Sequence, residues 1–169
     1  MTGRAATAMN QKKTPRVIIQ RRSRAAHVPS DAQFRRWAAA AADGSPGGWA
    51  ITLRIVGEVA ARRFNARYRA QDRATNVLSF RAELPETILA SLEEASETRP
   101  LGDIVMCAPL VQSEARQQGK PVAAHWAHLV VHGVLHLLGY DHEHAGEARA
   151  MEAREAGVLA ALGLPDPYA

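Results

Sequence analysis

Three histidines, His132, His136 and His142, are the residues of this 169-residue chain whose types and spacing could do chemistry together. On an α-helix, residues four apart lie about one turn apart with an offset of roughly 40°, so His132 and His136 project from one face about 6 Å apart and can grip one metal ion. On a continued helix His142 would sit about 240° around from His136, but Gly139 intervenes, and glycine ends helices by entering the left-handed conformation. The chain can then turn back and deliver His142 as a third ligand. Three neutral imidazoles leave one coordination position open, which separates a catalytic zinc from a structural one closed by four protein ligands. A water at that position ionises near neutral pH, so the expected chemistry is hydrolysis. Imidazole donors favour a single zinc over magnesium and are also compatible with iron, nickel or copper.

Seven histidines will produce pairs at helical spacing by chance, and such pairs ordinarily serve surface or packing roles. The third histidine after a glycine break separates this set from that background. His125 and His128 extend the stripe upstream, which makes His128 with His132 a rival pair. His128 lies one turn further from the break, and is read as a residue that orients water or substrate. The pattern His132-x-x-x-His136-x-x-Gly139-x-x-His142 resembles a zinc-peptidase signature in which Glu follows the first His. Gly133 stands there instead, which removes the general base of that route. Met151 lies in a helical context and carries little weight as a methionine turn. Cys107 is the sole cysteine, so an internal disulfide framework and a multi-cysteine zinc cluster are excluded. It falls in an apolar strand run and reads as a buried small hydrophobe.

The elements that must position these groups are legible from periodicity. Val17–Gln20 and Ile51–Glu58 read as strands, as do Thr75–Phe80 and Leu101–Cys107. A helix starts after Ser30, with Phe34, Trp37 and Ala41 on one face, and stops in the breaker run Asp43–Gly48. Further helices are expected over Val59–Arg69, Ile88–Ala95, Leu110–Gln118, Val122–Leu138 and Gly146–Leu162. The expected class is α+β: one domain over residues 15–169, with a mixed four-stranded sheet and about five helices, behind a flexible basic tail at residues 1–14 whose first residues, Met1–Lys13, lack periodicity. No apolar stretch reaches the roughly 18 to 20 residues of a membrane span and no signal-peptide layout is seen, so a soluble, cytoplasmic protein without a membrane partner is expected. The formal charge is +4. Its basic residues cluster: no acidic residue occurs before Asp31, and Arg62, Arg63, Arg67, Arg69 and Arg73 are opposed only by Asp72. Such clusters raise the potential felt by a polyanion, or else form solvated helix faces.

The run His132-Gly133-Val134-Leu135-His136-Leu137-Leu138-Gly139-Tyr140-Asp141-His142 resembles the hallmark of the YbeY endoribonucleases. Thr75-Asn76-Val77-Leu78-Ser79-Phe80, Leu101–Cys107 and the stretch from Asn65 through Tyr68-Arg69 extend the resemblance over most of the chain from about Ile51 onward. It implies that His132, His136 and His142 hold zinc in a zincin-like metal helix packed on the sheet, and that Arg69 is the active-site arginine. A guanidinium suits that role, because phosphodiester cleavage builds charge on nonbridging oxygens that it can bind in pairs. Without the resemblance, Arg69 would read as one of five surface arginines. The resemblance further implies single-stranded RNA as substrate, maturation of the 3′ end of small-subunit (16S) precursor ribosomal RNA, ribosome quality control, and contacts with the small ribosomal subunit and its assembly factors. Arg81 departs from the pattern, standing where the family usually has proline. The general base stays open among His128, Glu143, His144 and the substrate's 2′-hydroxyl. Two rivals stand beside this reading: a metal hydrolase of another class, peptidase or amidase, and a noncatalytic RNA-binding assembly factor with a structural zinc.

Overall fold

The computed structural model describes residues 16–45, 48–95 and 97–169. The tail expected at residues 1–14, and Pro46 and Gly47 of the breaker run, lie outside the described residues. The class is α+β in a single domain, as expected. One four-stranded mixed sheet has the order β1-β2-β4-β3. Strands β1 (Arg16–Arg22), β2 (Trp49–Val56) and β4 (Arg99–Cys107) are parallel, and β3 (Val77–Arg81) runs antiparallel to β4.

Alternation decides which side of the sheet each residue serves. Trp49, Ile51, Leu53 and Ile55 of β2, with Ile104 and Met106 of β4, enter the main core. Their neighbours Val56, Val105 and Cys107 join Leu78 and Ala61 in a smaller core on the opposite face. The second core lies under α2 (Glu58–Arg69). Cys107 is fully buried there, as its apolar context suggested.

Six helices accompany the sheet among the described residues, one more than the expected round figure. The first, α1 (Asp31–Ala41), opens with a reciprocal cap: the Gln33 amide donates to Ser30 Oγ at 3.2 Å and the Ser30 amide to Gln33 Oε1 at 2.9 Å. Its Phe34 meets Trp126 edge-on at 5.6 Å. The short α3 (Glu86–Glu94) buries no residue, in keeping with a surface excursion. The strand expected over Ile51–Glu58 ends at Val56, because Gly57 caps α2 and Glu58 already takes a helical position at the positive end of its dipole.

Everything after Cys107 is helical or turn: α4 (Ala108–Gln117), α5 (Val122–Leu137) and α6 (Ala145–Ala161). Helix α5 is the centre of the molecule, packed on α1, α4, α6, β3 and β4. A helix enclosed on so many sides is apolar nearly all round, which explains why its sequence shows so little amphipathic contrast. Polar side chains in such a helix need a reason, and the histidines supply one.

Strand β4 carries a bulge that sets its register. Ala50 pairs with Pro100 and Ile51 with Gly102, which leaves Leu101 as the extra residue. Gly102 has φ +143°, and a Cβ there would collide with the Phe80 carbonyl oxygen. Only glycine lets β3 approach so closely at this point.

Candidate metal centre

Helix α5 presents His132 and His136 one turn apart with ring centroids 4.6 Å from each other and their Nε2 atoms 3.1 Å apart. The helix then stops. Gly139 takes φ +98°, its amide donates to the His136 carbonyl at 3.0 Å, and the Tyr140 amide donates to the Leu135 carbonyl at 3.0 Å. These two bonds satisfy the last carbonyls of the helix and reverse the chain. His142 is thereby returned to the same place, its ring centroid 5.0 Å from His136 and 6.1 Å from His132. The three histidines picked out by spacing are brought together.

Asp141 joins His136 and His142, which spacing did not suggest. The donor atoms of His136, Asp141 and His142 all lie within 4.8 Å of one another. One Asp141 oxygen accepts the His142 amide at 2.6 Å, a local bond that shapes the turn. Burial, helped by the nearby His132 and His142, pushes the His136 imidazole below its ordinary pKa and favours the neutral form that metals require.

Behind the cup lies a carboxylate that the sequence reading missed. Glu155 of α6 is completely buried. One oxygen lies 2.5 Å from His132 Nδ1. The other lies 3.3 Å from His128 Nε2 and accepts a hydrogen bond from the Tyr168 hydroxyl. Burial, the largest single influence, pushes the carboxyl upward, but the bonds from His128, His132 and Tyr168, reinforced by the charge of His132, outweigh it and hold the pKa at about 2. An ionised Glu155 accepts a hydrogen bond from His132 Nδ1–H, which keeps the proton on Nδ1 and leaves the Nε2 lone pair facing the cup. His128 Nε2 therefore meets Glu155 and the Tyr168 hydroxyl, which ties its ring to this buried network. A faint signal was available: Met151, Glu155, Val158 and Leu159 share one buried helical stripe, in which a carboxylate is out of character.

Arg69 ends α2 and reaches β3. Its guanidinium lies over the Phe80 ring at 5.2 Å, and Nη2 donates to the Ser79 carbonyl at 3.0 Å. Ser79 Oγ in turn lies 3.5 Å from the carbonyl of Gly133, the residue after His132. Arg69 is thus joined to the histidine helix through β3, and among the described residues its hydrogen bonds go to Tyr68 and Ser79. Its neighbour Arg62 is engaged by Asp72 at 2.8 Å, so the basic cluster is partly neutralised.

Gly133 is where β3 and β4 press on α5. A Cβ there would lie 3.0 Å from Ile104 Cδ1 and 3.2 Å from Ser79 Oγ. At the position that carries Glu in the peptidase pattern, even a Cβ would sit tighter than ordinary contact and the Ile104 and Ser79 side chains would have to give.

The chain matches the family model described as endoribonuclease YbeY over residues 19–163. It is 56% identical over 145 residues to the endoribonuclease YbeY of Alkalilimnicola ehrlichii, covering 85% of this chain and 84% of that one. The Pseudomonas entomophila endoribonuclease YbeY is 50% identical over 151 residues, covering 89% and 91%. A solution structure of TM1509 from Thermotoga maritima shares the fold at TM-score 0.52 and 19% identity, over 88% of this chain and 91% of that one. With its histidine turn, its β3 and β4 motifs and this breadth of identity, the chain belongs to the YbeY endoribonuclease family.

Proposed function

We propose that this endoribonuclease is zinc-dependent and specific for single-stranded RNA, and that it matures the 3′ end of 16S ribosomal RNA. We place it in the cytoplasm, acting with the small ribosomal subunit and its assembly factors and contributing to ribosome quality control. Family membership supports the RNA substrate. No helix among the described residues is long and apolar enough to cross a membrane.

The observation that carries the zinc reading is the convergence of His132, His136 and His142 with His132 oriented from behind by a buried carboxylate. The donor set fits the ion. Two nitrogens each about 2.05 Å from one tetrahedral zinc would lie roughly 3.4 Å apart. The His132 and His136 Nε2 atoms are 3.1 Å apart, so this pair meets that spacing with a small adjustment. When bound, zinc supplies Lewis acidity toward water and toward a phosphoryl oxygen.

The chain's own groups do the rest. Glu155 keeps the His132 tautomer fixed. Arg69 binds nonbridging oxygens of the scissile phosphodiester and stabilises the charge that grows there. Its anchorage on the Ser79 carbonyl limits the rotamers it must lose on binding. The candidates for the base are Glu143, His144, the RNA 2′-hydroxyl and His128, whose Nε2 also meets Glu155.

One observation favours a second reading. Asp141 groups its carboxylate with the donor atoms of His136 and His142, so with His132 as a fourth donor the shell of a structural zinc would close, leaving an RNA-binding assembly factor. Cleavage of single-stranded and duplex RNA, alongside peptide substrates, decides between them when paired with metal analysis. The proposal expects cutting of single strands only, lost on chelation and restored by zinc, in parent and Asp141→Asn proteins alike. Zinc retained with no cutting, or cutting that survives chelation, overturns it.

A further inference from the structure

A cleft of about 370 Å³ opens on the other side of the histidine turn, between the end of α1, the starts of β2 and β4, and α6. Three arginines from three elements line it: Arg81 at the end of β3, Arg99 at the start of β4 and Arg154 on α6. None of the three forms an ion pair among the described residues. Asp43 is the only acidic residue of the lining, and Arg154 Nη2 donates to its backbone carbonyl at 3.2 Å. A concave surface with such an excess of one sign focuses the potential on an anion.

The cleft shares a wall with the candidate metal centre. The Arg81 guanidinium packs on Gly139, where its Nη1 lies 3.4 Å from the place a Cβ would occupy. Gly139 is the residue that swings the chain from His136 to His142, and Tyr140, 38% exposed, lines the cleft from the same turn. A ligand seated on Arg81 therefore lies beside the histidines, separated from them by one turn of backbone.

We propose that the cleft is a phosphodiester subsite that holds single-stranded RNA flanking the bond to be cut, with the three arginines on its phosphate oxygens and the Tyr140 ring open to a base. The inference rests on the RNA substrate of the proposed function. Guanidinium forks match phosphate oxygens, and an aromatic face beside a basic groove is how sequence-tolerant strand binding is built. All three arginines are exposed, which suits a polymer laid across the surface better than a small anion enclosed within it.

The test measures binding of a noncleavable single-stranded oligonucleotide by fluorescence anisotropy across a salt series, with cleavage of the cleavable strand followed in parallel. The parent is compared with a triple variant, Arg81→Gln, Arg99→Gln and Arg154→Gln, whose fold is checked by circular dichroism. If the triple variant does not fold, the single Arg81→Gln and Arg99→Gln proteins, altered at exposed strand ends, take its place. The expected result is a Kd weakened about tenfold or more and a slope of log K against log salt reduced by about two, since each single-strand phosphate contact contributes roughly 0.7. KM rises with kcat unchanged. Unaltered Kd and slope overturn the subsite even if the parent cuts RNA. Arginine-dependent binding of inorganic phosphate with arginine-independent binding of RNA also overturns it, in favour of a free-anion site. Arginine-dependent RNA binding by a parent that does not cut upholds the subsite and overturns the nuclease mechanism instead.

Discussion

At the scale of single residues, the proposed mechanism divides its labour between two side chains. Arg69 is held by Phe80 and the Ser79 carbonyl, with no hydrogen bond to the three histidines among the described residues. Arg69→Ala is expected to lower the cleavage rate about 10²- to 10³-fold, in the range for removing one preorganised donor, with zinc content and melting temperature unchanged. Glu155 acts one shell further out. Glu155→Gln is expected to weaken zinc affinity by about 10- to 100-fold, read by competition with a chromogenic chelator. An unchanged affinity would show that His132 does not need its partner. The two residues also mark how far reading by residue type can go. Arg69 was legible only through the motif surrounding it, since five arginines crowd one stretch. Glu155 was not found, because its meaning comes from α6 packing across α5, a contact between residues 23 apart in sequence.

At the scale of elements, the turn after α5 governs the site. The spacing of His132 and His136 and the stop at Gly139 could be read directly, because both depend on local helix geometry and φ. Gly139→Ala forces φ +98° on a residue with a Cβ, while the nearest neighbour of that Cβ is the movable end of Arg81. The expected outcome is a stability loss of about 1–2 kcal/mol in urea titration. A loss of zinc affinity should accompany it as His142 is displaced. Melting unchanged with zinc lost would still implicate the turn; no change in either would show that the turn forms without glycine. Asp141 escaped the sequence reading for a related reason: it becomes a donor only after the reversal has happened. Strand limits were less legible than helix limits. Whether Gly57 ends β2 or sits inside it depends on α2 docking beneath β4, which no local signal reports.

At the scale of the whole molecule, the core and the site are built from different residues. The main core of Trp126, Phe34, Leu53, Ile104 and their neighbours is buried, whereas His132 and His136 are half-buried and His142 is exposed. Chelation is therefore expected to abolish cutting while leaving a cooperative melt and the far-ultraviolet spectrum in place. Zinc at 100 times its Kd should raise stability by about 2.7 kcal/mol through binding alone. Collapse of the fold on chelation would point to a structural ion. The fold class was readable because alternation in β2, the apolar run of β4 and the helical run after Cys107 are strong local signals, whereas the β1-β2-β4-β3 order and the bulge at Leu101 arise from long-range pairing. Gly133 joins these scales, and it bears on what this scaffold can become. A single base change can turn a glycine codon into a glutamate codon, so a peptidase base would seem one step away in laboratory evolution. With Ile104 and Ser79 pressed against that backbone, Gly133→Glu should emerge from such a selection as insoluble protein, detectable in a simple expression screen. The Ile104 and Ser79 side chains would have to repack before the chemistry could change.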